Sequence, residues 1–365
     1  MKLQKILCGI LCAILLLSLL TACGNKEPVS LDDPAAPVSA TESEPAPEPE
    51  PAPEPEPIRN PLTGVVLEED VSAQRPYAVM LNNISVALPQ YGVSQADIIY
   101  EVVAEGGVTR MLGVFQDVRE VGSIGSIRSA RPYYLDLAQG HDAVFVHAGG
   151  SPQAYSNLKS TGYDHVDGVN GNTPSLFFRD KDRIRTAGYE HSMFTTGQLL
   201  TDICGKLDSI RHTHKDGWTY PQTFADDATP AGEDAPLVRA YFPGNKKTSF
   251  EYDTETKLYK VYEYGSAYVD GSDGKQVGVT NVLCLFTDVS QIRGDDKGRM
   301  AVRTTGTGEG VFICGGKAAN ITWERPTVTD PFAYKLKDGT PLTLGVGHSY
   351  VCILGEGSKV TLTDE

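Results

Sequence analysis

Cysteine is scarce where it could do chemistry. Seven occur in 365 residues, but Cys8 and Cys12 sit in an apolar N-terminal run and Cys23 follows directly after it. Of the remaining four, Cys284, Cys314 and Cys352 lie inside the apolar strand-like runs VLCLF, VFICG and YVCIL, and Cys204 stands apart. No C-x-x-C pair occurs and no cysteine has metal-ligand spacing from a histidine, which argues against a zinc site or a redox dithiol. Buried thiols packed as small hydrophobes are expected, with one disulfide as the alternative outside the membrane. Positive charge is also short: the formal net charge is −15. Nucleic acid and anionic lipid headgroups are poor partners for such a surface, although a local basic pocket is compatible with it. The usual catalytic signatures are missing too. There is no G-x-S-x-G elbow, P-loop, dinucleotide fingerprint or H-E-x-x-H, so the sequence calls for no cofactor and no metal. His212-Thr213-His214 alone makes a thin metal site.

The N-terminus reads as a targeting device. Lys2 and Lys5 precede the apolar segment Ile6 to Leu20, which is too short to span a bilayer comfortably, so residues 1–22 are expected to be a signal peptide. Leu20-Thr21-Ala22-Cys23 has the form of a bacterial lipobox. Cleavage there would free the Cys23 amine and leave its thiol to carry lipid, and two acyl chains suffice for stable anchoring. Residues 23–58 are then a lipidated cysteine followed by a Pro/Glu-rich disordered tether. Its stretch EPAPEPEPAPEPEP favours extended polyproline II, which at ~3.1 Å per residue reaches roughly 40 Å. The expected location is the extracytoplasmic face of the cell membrane, with the membrane a partner through Cys23.

Beyond the tether the pattern changes twice. Residues 59–220 mix helix and strand signals and predict an α/β domain. A strand is expected from Tyr77 to Leu81. A β-hairpin is expected from Ala96–Ala104 and Val108–Phe115 about the turn Glu105-Gly106-Gly107. A polar linker over 221–236 leads to residues 237–365, where period-two patterning and frequent glycine turns predict an antiparallel β-rich domain. The overall expectation is an α+β protein of two domains.

The densest chemistry lies in VGSIGSIRSARPYYLDLAQGHDAVFVHAGG, ending at Gly150. A Gly/Ser loop with Ser123 and Ser126 precedes Arg128, Ser129 and Arg131. Ser129 is a candidate N-cap, Pro132 suits a first helical turn, and Gly140 suits the position just past the helix end. An apolar strand from Ala143 to Val146 then delivers His147 to a second flexible turn. Unshielded amides, a positive helix end and two guanidinium groups together suit an anion. The same residues also suit a tight connection whose arginines pair with local carboxylates. A long irregular loop, Gly162 to Phe194, adds Arg179, Arg183 and His191, and such loops in compact domains are often functional. Arg179 and Arg183 are candidate clamps on a second wall. His147 and His191 are the acid–base candidates for a catalytic reading.

Several runs carry a resemblance: RPYAVMLNN, GVSQADIIYEVVAEGGVTRMLGVF, IGSIRSARPYYLDLA and AVFVHAGGSPQA, then FFRDKDR and EHSMFT, and later NVLCLF, GTGEGVFICGGK and ITWERP. The chain resembles the YerB-like family of bacterial lipoproteins. The resemblance implies a two-domain lipoprotein outside the membrane and no particular reaction. Two positions depart from the family's pattern. Glu190 and Ser192 flank His191 where proline and asparagine are usual, and Tyr268 stands where a histidine usually precedes the Asp270 position. Three functions therefore compete: a cell-envelope module binding an anionic ligand such as a wall fragment, an envelope hydrolase or transferase using His147 or His191, and a protein-interaction scaffold. No protein partner is named by the sequence.

Overall fold

The computed structural model describes residues 57–363. The signal segment, Cys23 and the tether as far as residue 56 lie outside the described residues. Along one central sheet, β1 (Tyr77–Asn83) pairs with β3 (Thr109–Phe115) and β3 with β2 (Ile98–Val103), both antiparallel. On the other side of β1, β5 (Val144–His147) and then β6 (His165–Asp167) add in parallel. The hairpin expected about Glu105-Gly106-Gly107 is therefore present, and its two glycines take positive φ. Three further elements frame the region between these strands. They are β4 (Ser123–Gly125), the helix α1 (Pro132–Gly140) and the helix α2 (Pro152–Thr161).

The second half of the chain continues the same sheet. Strands β12 (Asn281–Thr287), β13 (Gly306–Cys314), β14 (Lys317–Arg325) and β15 (Ser349–Gly355) join it through a parallel seam in which Ile98–Val102 of β2 faces Ser349–Ile353 of β15. Beyond the seam, β12 runs parallel to β15, and β12, β13 and β14 are antiparallel to one another in turn. A second, antiparallel sheet contains β9 (Leu237–Tyr241), β10 (Lys247–Asp253) and β11 (Leu258–Glu263). The fold is strand-rich, with mixed and antiparallel sheets and short helices.

The residues explain this layering. Central strands are apolar on consecutive positions because both faces are covered, and side chains alternate between those faces. In β15, Tyr350, Cys352 and Leu354 point to one core, and Val351 and Ile353 to the other. In β1, Val79 and Leu81 join the first core, and Ala78 and Met80 the second. Helices α1 and α2 cover the second core with Tyr134, Leu137, Ala154 and Leu158. The small sheet covers the first with Val238, Phe250 and Val261. Cys204, Cys284, Cys314 and Cys352 are buried free thiols, and Cys284 and Cys352 are register partners on neighbouring parallel strands.

Local details differ from the sequence reading. Helix α1 starts at Pro132 as expected, but its N-cap is Arg131, which makes no side-chain cap. The Ser129 hydroxyl instead donates to Ala148 O at 3.0 Å. Gly140 is the last helical residue and not a residue beyond the end. Its missing side chain matters because a Cβ there would lie 2.6 Å from Arg325 Nη2. The irregular loop after Gly162 contains β6, the two-residue β7 (Phe178–Arg179) and a short helix, α3 (Lys181–Thr186). It ends in β8 (Met193–Thr196), which pairs with both β4 and β7.

Candidate functional site

The loop after β4 and the turn after β5 face the irregular loop across a cleft of about 440 Å³, whose walls include Arg128, Ser129, Gly149, Asn170, Arg179 and Glu190. Two guanidinium groups meet on one short turn. Arg128 Nη1 donates to Glu190 O at 2.7 Å, and Arg179 Nη1 donates to the preceding carbonyl, Tyr189 O, at 2.6 Å. Successive carbonyls of one helical turn thus aim both cations into the same space. The Arg179 guanidinium also stacks on the Tyr189 ring, 3.6 Å from its centroid, a planar contact that suits arginine. One carboxylate opposes them: Glu190, 70% exposed, lies 3.4 Å from Arg128 Nη1. Arg128 Nε is buried and has no hydrogen-bond partner among the described residues. Among the side chains that line the cleft, two guanidinium groups face one carboxylate, a local basic pocket of the kind that composition alone left open.

The opposite wall is rigid. Asp167 accepts from the amides of Gly149 at 2.7 Å and Val169 at 2.9 Å, and from Tyr155 Oη at 2.7 Å. Asn170 Nδ2 donates in turn to Tyr155 Oη at 2.6 Å. Burial works against the Asp167 carboxylate, but these donors and the neighbouring His147 hold it below the usual carboxylate range.

The remaining sequence candidates are placed elsewhere. The Gly/Ser loop does not offer open amides, because it pairs as β4: Gly125 N donates to Tyr91 O at 3.2 Å and Ser126 N to Gln90 Oε1. Ser123 is a strand residue paired with Thr196, and Ser126 is fully buried. Arg131 turns away from the cleft and, with Arg110, closes on Glu105. Burial opposes the charge on Glu105, and the two guanidinium groups hold it low nonetheless. Arg183 reaches the carbonyls of Ala87 and Pro89. Of the expected clamps, Arg128, Ser129 and Arg179 converge, and Ser123, Ser126, Arg131 and Arg183 do not. Charge and residue type could not separate Arg128 from Arg131. The difference is one of backbone direction at the start of α1.

Both histidines are turned inward. His147 is fully buried, its Nδ1 2.8 Å from Gly149 O and its Nε2 2.9 Å from His165 Nδ1. Burial pushes its pKa down to about 4. His191 accepts from Asn82 Nδ2 at 2.9 Å through Nδ1, and its Nε2 lies 3.5 Å from Glu190. Burial and the Arg128 charge lower its pKa as well. His214 is committed to Asp142, 3.1 Å away, and no group of three metal-ligating side chains occurs among the described residues.

Sequence reasoning missed a second polar cluster, in which the two halves of the chain meet. Glu101 of β2 and Glu263 of β11 share Lys246, whose Nζ lies 3.1 Å from Glu101 and pairs directly with Glu263. Asn83, Thr109, Thr248 and Tyr350 complete the hydrogen bonding. Burial, and then the Glu101 charge, push Glu263 up to about 8. The available signals were Glu101 in the otherwise apolar run IIYEVV and Glu263 on the buried face of the alternating strand LYKVYE.

The comparisons agree with this architecture. Residues 62–209 match the model described as "Protein of unknown function (DUF3048) N-terminal domain", and residues 238–351 match its C-terminal domain counterpart. "Putative lipoprotein YerB" of Bacillus subtilis (strain 168) is 31% identical over 301 residues, covering 81% of this chain and 86% of that protein. The crystal structure of the YerB protein from Bacillus subtilis superposes with a TM-score of 0.70 at 27% identity, covering 83% of this chain and 99% of that one. The chain therefore belongs to the YerB-like family, whose two halves are the N- and C-terminal domains of that family of unknown function.

Proposed function

We propose that the chain is an extracytoplasmic lipoprotein, tethered to the cell membrane through Cys23, whose cleft binds a compact anionic group on a cell-envelope ligand. One observation carries the binding reading: Arg128 and Arg179 are aimed into one cleft by successive carbonyls, with a single exposed carboxylate between them. Paired guanidinium groups match the planar oxygens of a carboxylate or the face of a phosphate. The lipobox and the name of the Bacillus subtilis relative support the tethered location. No helix among the described residues is long and apolar enough to cross a membrane.

A thermal-shift panel of inorganic phosphate, phosphorylated sugars and carboxylate-bearing wall peptides tests the proposal. At about 100 times the dissociation constant, a ligand binding only the folded state adds ~2.7 kcal/mol of stability. The expected result is a rise in melting temperature for one class of anion, lost in Arg128→Ala. If no anion stabilises the wild type, or if Arg128→Ala responds equally, the proposal fails.

A further inference from the structure

A second cleft, remote in sequence from the first, has a different chemistry. It measures about 570 Å³ and takes walls from both halves of the chain: Gln139 at the end of α1, Trp218 and Asp216 from the segment after β8, and Thr329 and Asp330 from the loop after β14. Each wall is anchored from behind. Asp142 accepts from Arg211 Nη1 at 2.9 Å and faces His214 Nδ1 at 3.1 Å. The Trp218 ring stacks on His214 with centroids 5.4 Å apart and planes 9° apart. On the far side the fully buried Arg325 donates to Asp330 O at 2.7 Å and to Val328 O at 2.6 Å, fixing the 328–330 loop. An aromatic platform and a polar loop are thus held in place before any ligand arrives.

Two polar groups in this cleft are left without a partner. Gln139 is only 6% exposed and lines the cleft, and its carboxamide has no hydrogen-bond partner among the described residues while keeping contact with solvent. The Trp218 indole Nε1 is buried and has no partner among the described residues. Burying a polar group with no partner costs about 1–3 kcal/mol, so a purely structural role at position 218 would favour phenylalanine. The charges here are Asp142, Asp216 and Asp330 against Lys215, and no arginine lines the cleft. Anions are disfavoured by that lining. An indole face, a carboxamide with one donor and one acceptor side, and hydroxyl groups instead suit a ring that is apolar on its faces and hydroxylated at its rim.

We propose that this second cleft binds an uncharged saccharide, with Trp218 as the stacking platform and Gln139 as the hydrogen-bonding group that reads ring substituents. The site is independent of the anion cleft, since it shares none of its residues.

The test is calorimetric titration of the purified full chain with triacetylchitotriose, maltotriose and a sulfated disaccharide. Tryptophan emission is followed in parallel, because the chain's other tryptophan, Trp323, is buried in the core. At least one neutral trisaccharide is expected to bind saturably and shift the emission, and the sulfated sugar is not. Preference for triacetylchitotriose would assign Gln139 to an acetamido group, and equal binding of the two would assign it to ring hydroxyls. Gln139→Leu is expected to weaken binding at least tenfold without lowering the melting temperature, since it breaks no bond in the protein. Trp218→Phe is expected to weaken binding to a lesser degree. Absence of saturable binding by both neutral sugars overturns the proposal, and so does binding unchanged in Gln139→Leu.

Discussion

Arg110, Arg128 and Arg131 meet two different fates, and each fate predicts a different mutant. Arg128 keeps a guanidinium face toward a cleft, Arg131 is spent on Glu105, and Arg110 shares that same carboxylate. Removing one member of a buried ion pair strands the others and typically costs 3–5 kcal/mol. Glu105→Ala leaves two guanidinium groups uncompensated but partly hydrated, so a loss of about 3 kcal/mol is expected in a urea denaturation curve, against less than about 1 kcal/mol for Arg128→Ala. Equal losses for the two would mean that Arg128 is as structural as Arg131. A second residue-scale expectation concerns Glu263. Its folded pKa of about 8 lies above the unfolded value of roughly 4.3. The protonated form is therefore favoured by folding, and that stability is complete below the unfolded pKa and lost as pH rises through about 8. The melting temperature of the wild type should fall between about pH 5 and 8 and level off above that, and fall less in Glu263→Gln. A steeper fall in Glu263→Gln would contradict the assignment.

At the scale of elements, the turn of the β2–β3 hairpin meets the turn between β9 and β10. Gly107 and Gly244 have φ of 73° and 82°, and a Cβ on Gly244 would lie 2.5 Å from Gly107 Cα. Gly244→Ala thus suffers both an unfavourable backbone conformation and a clash with main chain. A destabilisation of about 3 kcal/mol or more is expected by thermal melting, against about 1 kcal/mol for Gly274→Ala, where φ is 72° but nothing lies within 4 Å. The pair isolates the contact from the conformation. That hairpin was legible in the sequence because its signals are local: two apolar runs, a Glu-Gly-Gly turn and matching lengths. Helix α1 and helix α2 were legible for the same reason, through Pro132, Ser151-Pro152 and Gly162. The pairing of Ile98 with Ser349 had no local signal, since the partners are separated by most of the chain and each strand is largely apolar on both faces. Arg128 was named as a clamp from its neighbours, but its convergence with Arg179 depends on β7 and β8 folding back onto β4. Tyr155 and Asn170 were missed because a tyrosine on a short helix and an asparagine in a glycine loop carry no signal of their own.

On the scale of the whole molecule, the family's two domain halves share one sheet and one buried charge cluster. The seam between β2 and β15 buries backbone ladders on both sides, and Glu101 meets Lys246 and Glu263 across the halves. Glu101 takes Lys246, Thr248 and Tyr350 from the other half, so the N-terminal half alone leaves this buried carboxylate without its countercharge. Denaturation of the chain is therefore expected as one cooperative transition by circular dichroism and by tryptophan emission, and residues 59–220 made alone are expected to lack native protection from hydrogen exchange. Two separated transitions would show that the halves fold independently.

The central claim is that Arg128 and Arg179 act together on one anion, and a double-mutant cycle in ligand binding tests it most directly. Dissociation constants for the anion selected by thermal shift would be measured by calorimetry for the wild type, Arg128→Ala, Arg179→Ala and the double mutant, at two salt concentrations. The account predicts that each single mutant loses about tenfold or more, that the double mutant loses less than the product of the two, and that the salt dependence weakens with each arginine removed. Single mutants that bind as tightly as the wild type would contradict it, and so would losses that multiply without coupling.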